Sequence, residues 1–165
     1  FGGVDILVNN AGGGGGGMSL DDVDYKEWNR LIQLDLTSAY ICSKEVLPYM
    51  RKRGAGKIVN VGSGAGIVGD MTDIHYATAK AGLIGLTKAM AQQVAKDRIN
   101  VNLLGVGPTD TRMSRRRGLE QQRDDILWYR FAQPEDQANA VAFLVSDEAE
   151  YITGQVICPN GGAWM

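Results

Sequence analysis

The chain has 165 residues and a mass of 17.8 kDa, with 44% apolar and 22% charged positions, a balance that suits one ordinary globular domain and excludes a disordered tail. Its 17 basic and 19 acidic residues leave a net charge of −2, so no whole-chain basic field exists to hold nucleic acid. The single histidine, His75, excludes a multi-His metal site; the cysteines Cys42 and Cys158 are too few for a disulfide framework; and no apolar run reaches the roughly 18 residues needed to cross a bilayer.

These features describe a soluble cytoplasmic protein with neither a membrane nor a nucleic-acid partner. The chain opens Phe1-Gly2-Gly3-Val4-Asp5, without an initiator Met and just before a strand-like run, so the expected start lies upstream. Asp5 to Asn10 is short, apolar and β-branched, the pattern of a strand buried on both faces. A glycine run, Gly12 to Gly17, follows it. Ser19-Leu20-Asp21-Asp22 reads as a helix start, and Trp28, Leu31, Ile32, Ala39, Val46 and Met50 recur at helical steps up to about Arg53.

A second strand is expected over Lys57 to Ser63 and a second helix over Thr72 to Lys96. Ile99 to Leu104 reads as a third strand, and Arg112 to Phe131 as an irregular charged loop with one short helix. Pro134-Glu135-Asp136 places a proline and two acids in a first helical turn running to about Ser146. Gln155 to Cys158 is the fourth strand. Strands alternating with helices, with no hairpin signal, predict an α/β fold: a doubly wound, Rossmann-like parallel sheet whose ligands gather beyond the strands' carboxyl ends. No internal repeat or second domain interrupts residues 1–165.

Several short motifs compete for the chemistry. A Tyr and a Lys four apart on a helix share a face, so the ammonium can favour the phenolate of a group whose ordinary pKa is about 10. The chain holds two such pairs, Tyr40/Lys44 and Tyr76/Lys80. Tyr40 lies deep in the first helix and reads as packing or surface, whereas Tyr76 opens its helix with Ser63 thirteen residues before it at a strand's end. Taken singly, Ser63 is an ordinary turn residue and Lys80 an ordinary solvated charge.

Gly12-x-Gly14-x-x-Gly17 satisfies a dinucleotide fingerprint with Asp35 about 20 residues on, but any six-glycine run does so, and the helical period continues through Asp35. Met18 stands where a phosphate loop needs Lys. A hydrolase built on Ser63, His75 and Asp70 or Asp73 lacks the flanking glycines of a nucleophile elbow, because Val61 and Ala65 occupy those places.

Together, Asn9-Asn10-Ala11-Gly12, Ser63, Tyr76-x-x-x-Lys80 and the closing Asp147-Glu148-Ala149 to Gly161-Gly162 resemble the short-chain dehydrogenase/reductase family over nearly the whole chain. The resemblance implies the C-terminal portion of that fold, four strands with flanking helices, without the N-terminal cofactor-binding half. It implies hydride transfer between NAD or NADP and a secondary alcohol or ketone. Tyr76 would be the general acid/base, Lys80 would hold the nicotinamide ribose, and Ser63 would hydrogen-bond the substrate oxygen. Asn10, Ala11, Gly12, Gly107, Thr109 and Thr111 would line the cofactor site, residues 112–131 would form a substrate lid, and the protein would assemble as a homotetramer. No metal is implied.

Two positions depart from the family pattern. Val106 stands for the usual Pro of a turn, and Asp35 for the usual Asn in the first helix. Asp35 falls on the apolar face, where a carboxylate needs a partner; Lys80, directly or through water, is the expected one, making Asp35 a candidate catalytic residue. These departures leave a second reading open, a non-catalytic partner subunit that keeps the fold. In the lid, six arginines, Arg112, Arg115, Arg116, Arg117, Arg123 and Arg130, lie among Trp128, Tyr129 and Phe131. They read either as a clasp for an acidic or thioester substrate or as a solvated loop, with Glu120, Asp124 and Asp125 offsetting half the charge.

Overall fold

The computed structural model describes residues 2–14, 16–116, 124 and 126–165. Four parallel strands lie side by side in chain order, β1 (Ile6–Asn9), β2 (Gly56–Val61), β3 (Ile99–Leu104) and β4 (Val156–Ile157). Between them run α1 (Tyr25–Ile32), α2 (Ser38–Arg53), α3 (Ala65–Val68), α4 (Ile74–Val94), α5 (Arg112–Arg116) and α6 (Pro134–Val145). Parallel strands cannot be joined by tight turns, so each crossover carries helix, and the result is the α/β, Rossmann-like arrangement expected.

The two faces of the sheet are filled by alternate residues of the same strands. Ile58 and Val101 pack with Met50 of α2 and with Met90 and Val94 of α4, while Val59 and Leu104 pack with Leu144 of α6. β1 borders β2 alone, which leaves Ile6 and Val8 48% and 39% exposed rather than buried on both faces. β4 is shorter than its apolar pattern, but side chains extend its attachment. Asn102 accepts from the Gln155 N–H at 3.1 Å and donates to the Ile152 carbonyl at 2.8 Å.

The first long helix differs from its periodic expectation in two ways. Ser19 caps a turn, its hydroxyl bonding Asp22 and its carbonyl accepting from the N–H groups of Asp22 and Val23. The helix itself begins after Asp24, whose carboxylate accepts from the Glu27 N–H at 2.7 Å. At Gln33–Thr37 the coil widens into a π-helical turn, a form that concentrates at functional sites. Here it carries Asp35 into the interior. The helix ends at Gly54, which adopts φ 77° and returns its N–H to the carbonyls of Met50 and Arg51.

A polar chain runs through the sheet. Asn9 and Asn60 are register partners on β1 and β2, and the Asn9 amide donates to Asn60 Oδ1 at 2.8 Å and to Ser43 Oγ at 3.0 Å. Asn60 donates onward to Thr87 Oγ1 at 2.9 Å, so α2, two strands and α4 are joined by one buried set of hydrogen bonds. Asn60→Ala would take one acceptor from the Asn9 amide, remove the Thr87 contact and cut the link between the two strands. The expected loss is about 1–3 kcal/mol of unfolding free energy by urea denaturation of the complete protein, and a change within measurement error would contradict the chain's structural importance.

Candidate active site

The carboxyl ends of β1, β2 and β3 open onto the first half of α4. Tyr76 and Lys80 lie one turn apart on that helix, with the Lys80 ammonium 5.6 Å from the centre of the Tyr76 ring. Lys80 Nζ donates to the Val61 carbonyl at the end of β2 at 3.0 Å and pairs with Asp35 Oδ1 at 3.0 Å. The Asp35 side chain is fully buried and that of Lys80 is 6% exposed, so this ion pair is withdrawn from water. The carboxylate also accepts from the Gly13 N–H, at 3.1 Å to Oδ1 and 3.3 Å to Oδ2.

Gly12 is required by this packing, because a Cβ there would lie 2.5 Å from Asp35 Oδ1 and 3.1 Å from Lys80 Nζ. The loop after β2 is held equally close. A Cβ on Gly66 would stand 2.5 Å from the Lys80 carbonyl carbon and 2.6 Å from the Ala81 nitrogen, so α3 seats Ser63's loop directly on α4. Ser63 Oγ accepts from the Ala65 N–H at 3.2 Å, which leaves its own proton for another acceptor. Trp164 packs over Gly64 and brings the C-terminal segment to the same rim.

The remaining sequence-predicted residues are distributed around this centre. Asn10 and Ala11 are exposed on the loop between β1 and Gly12. Gly107 is buried against Asn160, and Thr109 is buried with its hydroxyl donating to the Gly107 carbonyl at 2.8 Å. Thr111 caps α5 instead of standing free: its Oγ1 lies 3.0 Å from Ser114 Oγ and accepts from the Ser114 N–H at 3.3 Å. Tyr40, the competing tyrosine, is 48% exposed on α2.

His75 is not aimed at Ser63. Its Nδ1 lies 3.0 Å from Asp73 Oδ1 and its Nε2 3.8 Å from Glu27 Oε1, neither with the alignment of a hydrogen bond. Glu27 belongs to no motif in the sequence, and the structure places it in the first turn of α1. Two hydrogen bonds from Arg30, at 2.7 and 2.6 Å, hold the Glu27 carboxyl below its usual range, with the charges of Arg30 and His75 adding to the effect.

Two of the lid arginines are paired with carboxylates that flank the segment. Arg115 forks onto Asp110, and Arg130 forks onto Asp136 at 2.7 and 3.2 Å while lying 5.8 Å from the Trp128 ring. Arg117, Glu120, Arg123 and Asp125 lie outside the described residues. Among the described residues no group of three or more His, Cys, Asp or Glu is placed to hold a metal ion, and no helix is long and apolar enough to cross a membrane.

The profile of a family described as Enoyl-(Acyl carrier protein) reductase matches residues 1–163. The chain is 43% identical over 168 residues to the 3-oxoacyl-(acyl-carrier-protein) reductase FabG of Vibrio cholerae, covering all of this chain and 68% of that protein. The chain belongs to the short-chain dehydrogenase/reductase family. Similar matches extend to the FabG proteins of Escherichia coli, 43% identical over 169 residues, and Haemophilus influenzae, 39% identical over 168 residues, covering 68% and 69% of those proteins. Membership in the short-chain dehydrogenase/reductase family makes the protein an oxidoreductase by class.

The Arg130 fork has a pH consequence. Its hydrogen bonds, aided by the Gln133 N–H, hold the Asp136 carboxyl below its usual range. A lowered carboxylate contributes stability above its unfolded pKa and loses it as pH falls through the folded value. Asp136 is therefore expected to titrate below an ordinary aspartate in wild type and to rise toward it in Arg130→Gln, as followed by carboxyl carbon NMR; an unchanged titration would show the fork to be absent in solution.

Proposed function

We propose that this protein is an NAD(P)-dependent oxidoreductase interconverting a ketone and a secondary alcohol, with Tyr76 as the general acid/base and a 3-oxoacyl thioester as the substrate class. The substrate class is supported by the names of its relatives. The observation that carries the chemistry is the Lys80 ammonium held beside the Tyr76 ring on one face of α4. An ammonium has three protons; Val61 and Asp35 take two, and among the described residues none takes the third. That proton fits a ribose hydroxyl, so the donor set is compatible with a nicotinamide nucleotide.

A nicotinamide held beside Lys80 would supply the hydride that the carbonyl carbon takes up. Tyr76 delivers its phenolic proton to the carbonyl oxygen, and the neighbouring ammonium stabilises the phenolate that remains. Ser63 donates its free hydroxyl proton to the same oxygen and orients it. In this reading Asn10, Ala11, Gly12 and Gly107 approach the cofactor through the backbone. Thr109 and Thr111 contribute through lone pairs or main chain, since their hydroxyls already have partners.

Residues 112–131 act as the substrate lid. With Arg115 and Arg130 paired, the exposed Leu127, Trp128 and Tyr129 offer an apolar face for an acyl chain. The reading places the enzyme in the cytoplasm as a homotetramer, an assembly that exposed Tyr40, Ile41 and Tyr49 along α2 are suited to make. The second reading, a non-catalytic partner subunit, is favoured by the Asp35 and Val106 departures.

NADPH or NADH oxidation by the complete protein, with a 3-oxoacyl thioester as acceptor, tests both. Tyr76→Phe is expected to lower kcat/KM by roughly a hundred- to ten-thousand-fold while circular dichroism stays unchanged. Full activity in that variant would remove Tyr76 from the mechanism, and a wild-type protein with no activity on any ketone would favour the partner subunit.

A further inference from the structure

We propose that Asp35 sets the acidity of the Tyr76 phenol by neutralising Lys80, and that the same side chain holds Gly12 and Gly13, after β1, against the ion pair. The inference rests on the acid/base role proposed for Tyr76 and goes one step past it. The family resemblance places a neutral Asn at this position; here a full negative charge lies 3.0 Å from the ammonium, with both side chains withdrawn from solvent. Screening by water is weak there, so the charge is felt by every group near Nζ.

The consequence has a definite sign. A lone ammonium beside a phenol stabilises the phenolate and lowers the pH at which it forms. A carboxylate in contact with that ammonium offsets part of its field. Tyr76 therefore keeps its proton to higher pH than it would opposite an Asn at position 35. The protonated phenol is the form that donates to a carbonyl oxygen, so this arrangement keeps the proton-donating form populated to higher pH. Asp35 touches Lys80 and not the reacting atoms, which makes it a positioning residue.

The second half of the inference rests on the loop. Both Asp35 oxygens face the Gly13 N–H, and the space a Cβ would need at Gly12 is filled by Asp35 Oδ1. An amide oxygen at position 35 would accept the same Gly13 N–H, so the loop contact demands an acceptor and not a charge. The charge is left to act on Lys80.

Other ionisable groups lie nearby on the packed elements: Asp73 and His75 at the start of α4, Asp70 in the preceding turn, and Glu27 and Arg30 on α1. Glu27 and Arg30 are paired with each other, His75 faces Asp73 and Glu27, and Arg30 feels the Asp35 charge only as its weakest influence. α3 and the ends of β1 and β2 bring no titratable side chain. All of these groups are common to wild type and to a variant changed only at Asp35.

The test is a titration of the complete protein, free of cofactor and labelled with carbon-13 at tyrosine Cζ, with the Tyr76 resonance assigned from Tyr76→Phe. In Asp35→Asn the Tyr76 midpoint is expected to fall by about one pH unit, and the matching limb of the kcat/KM profile to move the same way. A midpoint equal to wild type overturns the inference. Asp35→Ser, which also lacks the charge, provides the same comparison if the Asn variant does not fold. A purely structural role would lower Tm in these variants without moving the midpoint, and that result also overturns the inference. Should Tyr76→Phe retain full activity, the catalytic reading falls; should Tyr76→Phe be inactive while the Asp35 variants titrate like wild type, only the present inference falls.

Discussion

A buried ammonium cannot be left alone. Withdrawing Lys80 Nζ from water costs several kcal/mol unless oppositely charged and polar groups replace the lost hydration, and the groups that do so here come from different parts of the chain. Val61 ends β2, Asp35 sits in the π-helical turn between α1 and α2, and Gly13 ties the loop after β1 to the same carboxylate. One charge thus requires the ends of two strands and the middle of a long helix to meet. Removing either member of the pair would leave the other buried and unpaired, which is the expensive case, commonly about 3–5 kcal/mol. The site and the fold share this contact.

The surrounding packing keeps that junction from spreading apart. The Asn9, Asn60 and Thr87 chain crosses the sheet just below it, linking β1 to β2 and β2 to α4 through buried hydrogen bonds. Beneath that, Met50, Ile58, Met90 and Val101 form an apolar floor between the sheet and its two long helices. Above it, α3 lies so close to α4 that a methyl group at Gly66 would overlap backbone atoms of Lys80 and Ala81. Because backbone cannot yield as a side-chain tip can, this contact fixes the height of Ser63's loop relative to Lys80. Tyr76 and Lys80 then need only helical geometry to share a face.

Much of this was legible in the residues. Short apolar runs marked all four strands, the first three closed by glycine, and the pairing of Tyr76 with Lys80 was separated from Tyr40 with Lys44 by position within the helix, a distinction consistent with the exposure of Tyr40. The burial of Asp35 and its contact with Lys80 followed from a carboxylate on an apolar stripe. Other features had weaker signals. The π-helical turn preserves the apolar stripe from Leu31 through Asp35 to Ala39, so periodicity does not reveal it. Ser19 looked like a cap because Ser followed by acids is a common helix start, but Asp24 lies nearer the first buried residue and Glu27 supplies the N–H it bonds. The Asn9 and Asn60 pairing was in principle readable, since two asparagines at matching places in neighbouring apolar strands each need a partner, but only the register shows that they meet.

The lid segment shows how composition overstates charge. Six arginines within residues 112–131 suggest an anion receptor, yet a guanidinium already forked onto a carboxylate has one bidentate edge in use and its field largely cancelled. Arg115 on Asp110 and Arg130 on Asp136 are in that state, and Arg130 also covers the Trp128 ring. These pairs are exposed, so each contributes little to stability; their effect is on shape. The Arg130 fork joins the lid to the first turn of α6, while Ile126 and Leu127 pack against Gly161 and Gly162 at the C-terminal end. The side chains left facing solvent between these two anchors, Leu127, Trp128 and Tyr129, are apolar or aromatic. What this part of the lid presents is therefore set less by the positive charge that dominates its sequence than by the apolar surface that its ion pairs hold in place.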